Sequence, residues 1–365
     1  MRVLIAGGGT AGHVNPALAL AAELDGHEVY FVGTAGGAEA TLVPAAGFEL
    51  DTIEVVGFDR ARPLAAPLVA FKALRAMGEA RRLLRRRRPS VVVGVGGYAS
   101  LPVGLAARLA RIPVVIHEQN AVLGLANRVL KPVAAAIALS FEDTLARAGR
   151  RAVVTGNPVL PSIAAFERDA LRPRALERFD LNATAPVVLL FGGSQGAQRV
   201  NQAAAGLATA WRARGDVQVV HITGRAAHAE VEQAVASALG DGALIYRALP
   251  FVDDMALAYA AADVAVCRGG ATTVAELCAV GLPAVIVPYP HHRDRQQERH
   301  ALILERAGAA LHLPDREASA DRLAVLLDEL LAAPGRLREM AAAAKRLGRP
   351  DAARRLAAVV LGAAR

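Results

Sequence analysis

Apolar residues fall into two kinds of segment that alternate along the chain. Short unbroken runs read as buried strands, and longer stretches with apolar positions three and four apart read as helices. Val3-Leu4-Ile5-Ala6 is the first run; it enters Gly7-Gly8-Gly9-Thr10-Ala11-Gly12-His13 and then a helix from about Pro16 to Leu24. Glu28 to Val32 is a second strand, ending in Gly33-Thr34. Val91 to Val95 leads through Gly96-Gly97-Tyr98 to a helix from Leu101 to Ala110, and Pro113 to Ile116 leads into His117-Glu118-Gln119-Asn120. After Ala135 to Leu139 and Val153-Val154, the segment Gly156-Asn157-Pro158-Val159 breaks the pattern, and the charged run from Glu167 to Arg178 reads as a crossing into a second domain. There the pattern restarts: Val187 to Phe191 runs into Gly192-Gly193-Ser194-Gln195-Gly196-Ala197. Further strands are expected at Val217 to Gly224, Ala243 to Tyr246, Val264 to Val266 and Ala284 to Pro288, and helices at Leu323 to Leu331, Arg336 to Leu347 and Asp351 to Leu361. Each half opens on strand, glycine turn and helix, which predicts an α/β protein of two Rossmann-like, doubly wound domains, residues 1–162 and 163–345.

The chemistry concentrates at glycine turns. Cys267-Arg268-Gly269-Gly270 follows an apolar run and precedes a helix from about Thr272. A helix N-terminus beside a glycine turn offers backbone N–H groups and a positive dipole end to a phosphate. Glu276, one turn inside, can accept two hydrogen bonds from a ribose diol. The same residues also fit an ordinary βα turn with a capping Thr and a dipole-complementing Glu. Gly7, Gly9 and Gly12 match the dinucleotide fingerprint, but that motif needs an acid at the end of the second strand, where this chain has Gly33-Thr34. The missing acid argues against a dehydrogenase. His13 at the mouth of the first turn is a candidate general base or a capping histidine. The polar loop after Ile116 reads as a ligand site or a plain βα loop. Ser194 would bring a hydroxyl and helix-terminal N–H groups to a leaving phosphate. Asp253 and Asp254 read as helix caps.

Net charge is +8, with a pI near 10.1. Much of it lies between Arg60 and Arg88, with ten Arg or Lys against Glu79 alone, interleaved with Leu64, Leu68, Leu74, Leu83 and Leu84. This suits the surface of an anionic membrane, or equally a core-facing helix with a solvated basic face. Nucleic acid is disfavoured, because no aromatic interleaving accompanies the charge. Cys267 and Cys278 have neither metal-ligand nor disulfide spacing and read as core thiols. The apolar start is too short for a signal peptide, and the uncharged run Pro89 to Ala107 holds four glycines and Pro102 and makes no transmembrane helix. A cytoplasmic protein is expected.

Together the three glycine turns, His117-Glu118-Gln119-Asn120-Ala121, Gly192 to Ala197, and the ordered set Gly269 to Glu276 followed by Asp294-Arg295-Gln296-Gln297 closely resemble the MurG family of bacterial transferases. The match runs from Val3 to Gln297. The resemblance implies a GT-B architecture, two Rossmann-like domains facing across a cleft, with the last helix, about 346–365, returning to the first domain. It implies transfer of N-acetylglucosamine from UDP-N-acetylglucosamine to the C4 hydroxyl of undecaprenyl-linked muramyl-pentapeptide, on the cytoplasmic face of the membrane. Carried over by motif, Thr10, Ala11, Gly12 and Asn120 would lie by the sugar, Ser194 by the diphosphate and Val252 by the uracil. Ala271, Thr272, Thr273, Val274 and Ala275 would wrap the nucleotide, Glu276 would bind the ribose, and Gln296 and Gln297 the sugar hydroxyls. His13, as base, and Tyr98 would face the acceptor. No Asp-x-Asp pair occurs, so no metal and no cofactor are expected. The family commonly has arginine after Gly-Asn-Pro-Val, where this chain has Leu160; Arg268 or Arg199 are candidates to replace its charge. Another GT-B enzyme, such as a UDP-sugar 2-epimerase or a natural-product glycosyltransferase, would share the nucleotide pocket. A non-enzymatic nucleotide-binding module at a membrane surface would need only the glycine turns and the basic stripe.

Overall fold

A computed structural model describes residues 1–55, 66–192, 197–291 and 294–364, and for 66–73 the backbone alone. The chain forms two compact units: Met1–Pro161 joined by the stretch from Arg349 onward, and Ser162–Gly348.

In the first unit seven strands form one parallel sheet: β1 (Arg2–Ala6), β2 (Glu28–Gly33), β3 (Glu49–Thr52), β4 (Val91–Gly94), β5 (Val114–Glu118), β6 (Ala136–Leu139) and β7 (Ala152–Val154), in the order β3-β2-β1-β4-β5-β6-β7. Helices cover both faces, so the strands read as continuous apolar runs. Alternate residues of β1 feed different cores. Leu4 and Ala6 pack with Leu83, Val103 and Leu130, whereas Val3 and Ile5 pack with Val14, Leu20, Leu356 and Val360. Leu356 and Val360 belong to the last helix, Ala352–Ala363, which the chain brings back to this unit. Gly156, at φ +89°, makes room for that return, because a Cβ there would lie 2.9 Å from the Cβ of Arg349. Arg349 in turn donates to Glu142 at 2.9 Å.

The second unit repeats the winding with β8 (Val187–Phe191), β9 (Gln218–Ile222), β10 (Ile245–Leu249), β11 (Val264–Cys267), β12 (Ala284–Ile286) and β13 (Ala310–His312), a six-stranded sheet ordered β10-β9-β8-β11-β12-β13. In both sheets the winding reverses direction beside the first strand, between β1 and β4 and between β8 and β11. The glycine turns at Gly7, Gly96 and Gly269 follow three of these four strands, at the place where open α/β sheets bind ligands. The turn expected after β8, with Ser194, lies outside the described residues.

One expectation changes. The charged run Glu167 to Arg178 is no linker but a helix, Arg168–Arg178, docked on the helix Met255–Ala261. Arg172 donates to the Ala260 and Ala261 carbonyls and Arg168 to that of Ala262, and both pair with Asp263 at 3.1 and 2.6 Å. The charges cap a helix C-terminus. The basic helix, Ala66–Arg87, turns Ala76, Ala80, Leu83 and Leu84 into the core and leaves Arg81, Arg82 and Arg85 exposed. Its C-terminal half is therefore a core-facing helix with a solvated basic face; Leu64, together with the rest of 60–65, lies outside the described residues. No described helix is long and apolar enough to cross a membrane.

Candidate active site

The turn after β11 is held from behind. Gly269 is seated so closely that a Cβ would lie 2.6 Å from the Gln297 carbonyl oxygen, and its own carbonyl accepts from His300 Nδ1 at 2.8 Å. Burial lowers His300 to about 4, so the donor is a neutral imidazole. Gly270, in extended conformation, then opens the helix Ala271–Val280. Ala271, Thr272, Thr273 and Ala275 are half-buried, Val274 is buried, and Glu276 on the inner side is 8% exposed. The Glu276 Oε2 accepts from the Tyr259 hydroxyl at 2.7 Å. Burial pushes Glu276 up to about 7, against the downward pull of that bond.

Gln296 and Gln297 open the helix Gln296–Arg306, and Gln297 Oε1 accepts from the Tyr289 N–H at 2.9 Å. Val252 lies just before the helix Met255–Ala261 that carries Tyr259. That helix is capped as expected, with Asp254 Oδ1 accepting from Ala256 N at 3.0 Å. Arg268 is turned away from the glycine turn. It is buried, donates to the carbonyls of Val287 and Pro288, and pairs with Asp315 at 2.5 Å. Its charge is therefore paired within its own unit. Arg199 lies 3.8 Å from the same Asp315.

In the first unit the helix begins earlier than expected, at Ala11, with Thr10 as its N-cap residue, so His13 sits within the first helical turn. Thr10 Oγ1 lies 3.1 Å from His13 Nδ1, and a Cβ on Gly96 would touch the ring at 3.0 Å. Burial holds His13 below the usual histidine value, countered by the charge of Glu39, which leaves a neutral imidazole at neutral pH. The two glycine turns of this unit meet backbone to backbone. A Cβ on Gly97, at φ +78°, would come within 2.3 Å of the Gly8 carbonyl oxygen, which explains why only glycine fits there.

Sequence reasoning missed Glu39. Its carboxylate, 2% exposed, accepts from Gly9 N at 2.7 Å, from Thr34 N at 2.8 Å and from Thr34 Oγ1 at 2.7 Å. Burial pulls its pKa up, but these bonds outweigh burial and hold it below the ordinary carboxylate value. An acid six residues beyond the end of β2 thus accepts from the backbone of the first glycine turn. The available signal was a lone acid beside Gly33, Gly36 and Gly37; on Gly8, Gly33 or Gly37 a Cβ would fall within 2.4 Å of this side chain.

The polar loop after Ile116 divides. His117 and Glu118 finish β5, and with Gln119 they are buried framework. Gln119 donates to the Val95 carbonyl at 3.1 Å, and burial drops His117 to about 4. Glu118 is the hub: Oε1 accepts from the backbone and side-chain amides of Asn120, and Oε2 from Gly124 N and Asn127 Nδ2. Asn120 alone of the four is half-exposed. Tyr98 is 64% exposed beyond the second glycine turn.

Known proteins share this plan. The glycosyltransferase family 28 N-terminal domain matches residues 3–139, and the family's C-terminal domain matches 187–356. A UDP-N-acetylglucosamine--N-acetylmuramyl-(pentapeptide) pyrophosphoryl-undecaprenol N-acetylglucosamine transferase of Halothermothrix orenii is 39% identical over 358 residues, 96% of this chain and 95% of that protein. The crystal structure of Acinetobacter baumannii MurG superposes with a TM-score of 0.78 at 31% identity, covering 99% of each chain, and brings the expected GT-B class with it. A UDP-GlcNAc 2-epimerase from Neisseria meningitidis, at 14% identity and a TM-score of 0.68 over 99% of this chain and 100% of its own, shares the fold alone. At these identities and over its whole length, the chain belongs to glycosyltransferase family 28 and, within it, to the MurG family of N-acetylglucosamine transferases.

Proposed function

We propose that this protein transfers N-acetylglucosamine from UDP-N-acetylglucosamine to the C4 hydroxyl of undecaprenyl-linked N-acetylmuramyl-pentapeptide, inverting the anomeric centre and releasing UDP. The observation that carries the reading is the end-to-end identity to a transferase bearing that name. The second unit holds the donor. Backbone N–H groups at the start of Ala271–Val280 stabilise the diphosphate as charge develops on it, Ser194 supports them, and Ala271 to Ala275 enclose the nucleotide. Glu276 accepts from the ribose hydroxyls, Val252 meets the uracil through its backbone, and Gln296 and Gln297 bind the sugar. From the first unit Thr10, Ala11, Gly12 and Asn120 contact the donor's sugar, and Tyr98 meets the acceptor.

In the reaction the acceptor oxygen forms its bond to C1 as the bond from C1 to the diphosphate breaks, and the electron pair leaves with UDP. His13 takes the hydroxyl proton. Its burial keeps it neutral and ready to accept, while the Glu39 carboxylate favours the imidazolium that results. The exposed arginines of the basic helix hold the protein peripherally on the anionic cytoplasmic face of the membrane, each nearby cation adding about 1 kcal/mol.

The test is transfer of radiolabelled sugar from UDP-N-acetylglucosamine to a short-chain lipid-linked muramyl-pentapeptide, with EDTA present. Transfer by the wild type is expected, with kcat lowered about 10²- to 10⁴-fold in His13→Ala. Donor binding without transfer would move the reading to another GT-B activity, and an unchanged kcat in His13→Ala would remove His13 as base.

A further inference from the structure

The helix Met255–Ala261, Met-Ala-Leu-Ala-Tyr-Ala-Ala, is built of small and aliphatic residues apart from one phenol. Tyr259 is 1% exposed, its ring set edge-on to Phe191 at 6.1 Å. Phenylalanine would fill the same space without placing a hydroxyl in an apolar interior, where a polar group is costly unless partnered. The partner present is the Glu276 Oε2 at 2.7 Å, and both groups are buried. A carboxylate one turn inside a helix has rotamer freedom that a single short bond from behind removes, leaving the remaining lone pairs in a fixed direction.

We infer that Tyr259 is a positioning residue for donor recognition, holding the Glu276 carboxylate in the orientation that receives the ribose hydroxyls. The inference rests on the assignment of Glu276 to the ribose. The bond has a second consequence. Among the described residues, the titratable group facing this carboxylate besides Tyr259 is the thiol of Cys267 on β11, which burial keeps neutral, while neighbouring Arg268 is engaged with Asp315. The Tyr259 hydrogen bond is thus the influence that offsets burial and favours the ionised carboxylate.

The experiment is calorimetric binding of UDP and 2′,3′-dideoxy-UDP to the full-length wild type and to Tyr259→Phe between pH 6 and 9. The wild type is expected to prefer UDP by at least about tenfold at pH 8, the scale of hydrogen bonds to a charged group. Tyr259→Phe is expected to lose most of that preference by weakening UDP and not the dideoxy analogue, to raise the donor KM with kcat held, and to move the pH dependence of the preference upward. Full preference in Tyr259→Phe, or equal weakening of both ligands, overturns the positioning role. Absence of preference in the wild type overturns instead the ribose assignment of Glu276. Should Tyr259→Phe fold poorly, site-specific 3,5-difluorotyrosine at 259, a stronger donor of nearly the same shape, is expected to move the pH dependence downward; an unmoved profile overturns the inference.

Discussion

The turn after β1 and the turn after β11 each lie where the winding of their own sheet reverses, on opposite sides of that reversal, and each has a buried glutamate beside it. In the first unit Glu39 reaches into the turn, accepts from Gly9 N, and is held below the ordinary carboxylate value by its bonds. In the second the turn is clamped at its carbonyl side by the neutral His300, while Glu276 lies along the helix with one phenol behind it and is pushed up to about 7. One acid completes the fold; the other is kept costly. A carboxylate whose burial is not fully offset is free energy held ready for a ligand that brings the missing donors.

Removing each acid should therefore break different things. Glu39→Ala strips the acceptor from two backbone N–H groups and a hydroxyl, and is expected to cost about 3 kcal/mol of stability in urea unfolding. A loss under about 1 kcal/mol would mean the turn stands without it. Glu276→Ala should leave stability nearly unchanged at pH 8 while raising the donor KM about thirtyfold, as expected for the loss of hydrogen bonds to a charged group. A collapse of stability with KM preserved would reverse the comparison.

Titration separates the pair further. Glu276 has its folded pKa raised, so its protonated form favours the fold below about 7, and the ionised form proposed to receive the ribose is lost as pH falls through that value. Donor affinity should drop about tenfold between pH 8 and 6, measured by calorimetry with UDP. Glu39 has its folded pKa lowered, so its stabilisation is present above the ordinary carboxylate range and disappears as pH falls through the folded value. The smallest effect is expected far from both turns. Arg82→Ala should reduce partition onto phosphatidylglycerol vesicles about fivefold, with transfer to a water-soluble acceptor analogue unchanged.

Much of this was legible because local rules suffice for it. Continuous runs such as Val187 to Phe191 can only be strands covered on both faces, and glycine pairs such as Gly269-Gly270 mark close backbone approach. Glu276 could be placed beside its turn because a helix fixes the spacing between its start and its first inner face. The loop His117 to Asn120 was harder, since four polar residues in a row do not say which side chains face inward. The partners of Glu118, notably Gly124 and Asn127, lie several residues further along.

The sequence by itself determined the two α/β windings, the glycine turns, the family and the residue types available for a nucleotide. Tertiary structure alone decided that Glu39 closes the first turn, that Arg268 serves Asp315, that Leu83 and Leu84 face the core, and that Tyr259 stands behind Glu276. The physical reason is range. Strand, turn and helix signals arise between near neighbours, whereas the ionisation and orientation of a buried side chain depend on which distant groups the sheet order brings within a hydrogen bond of it.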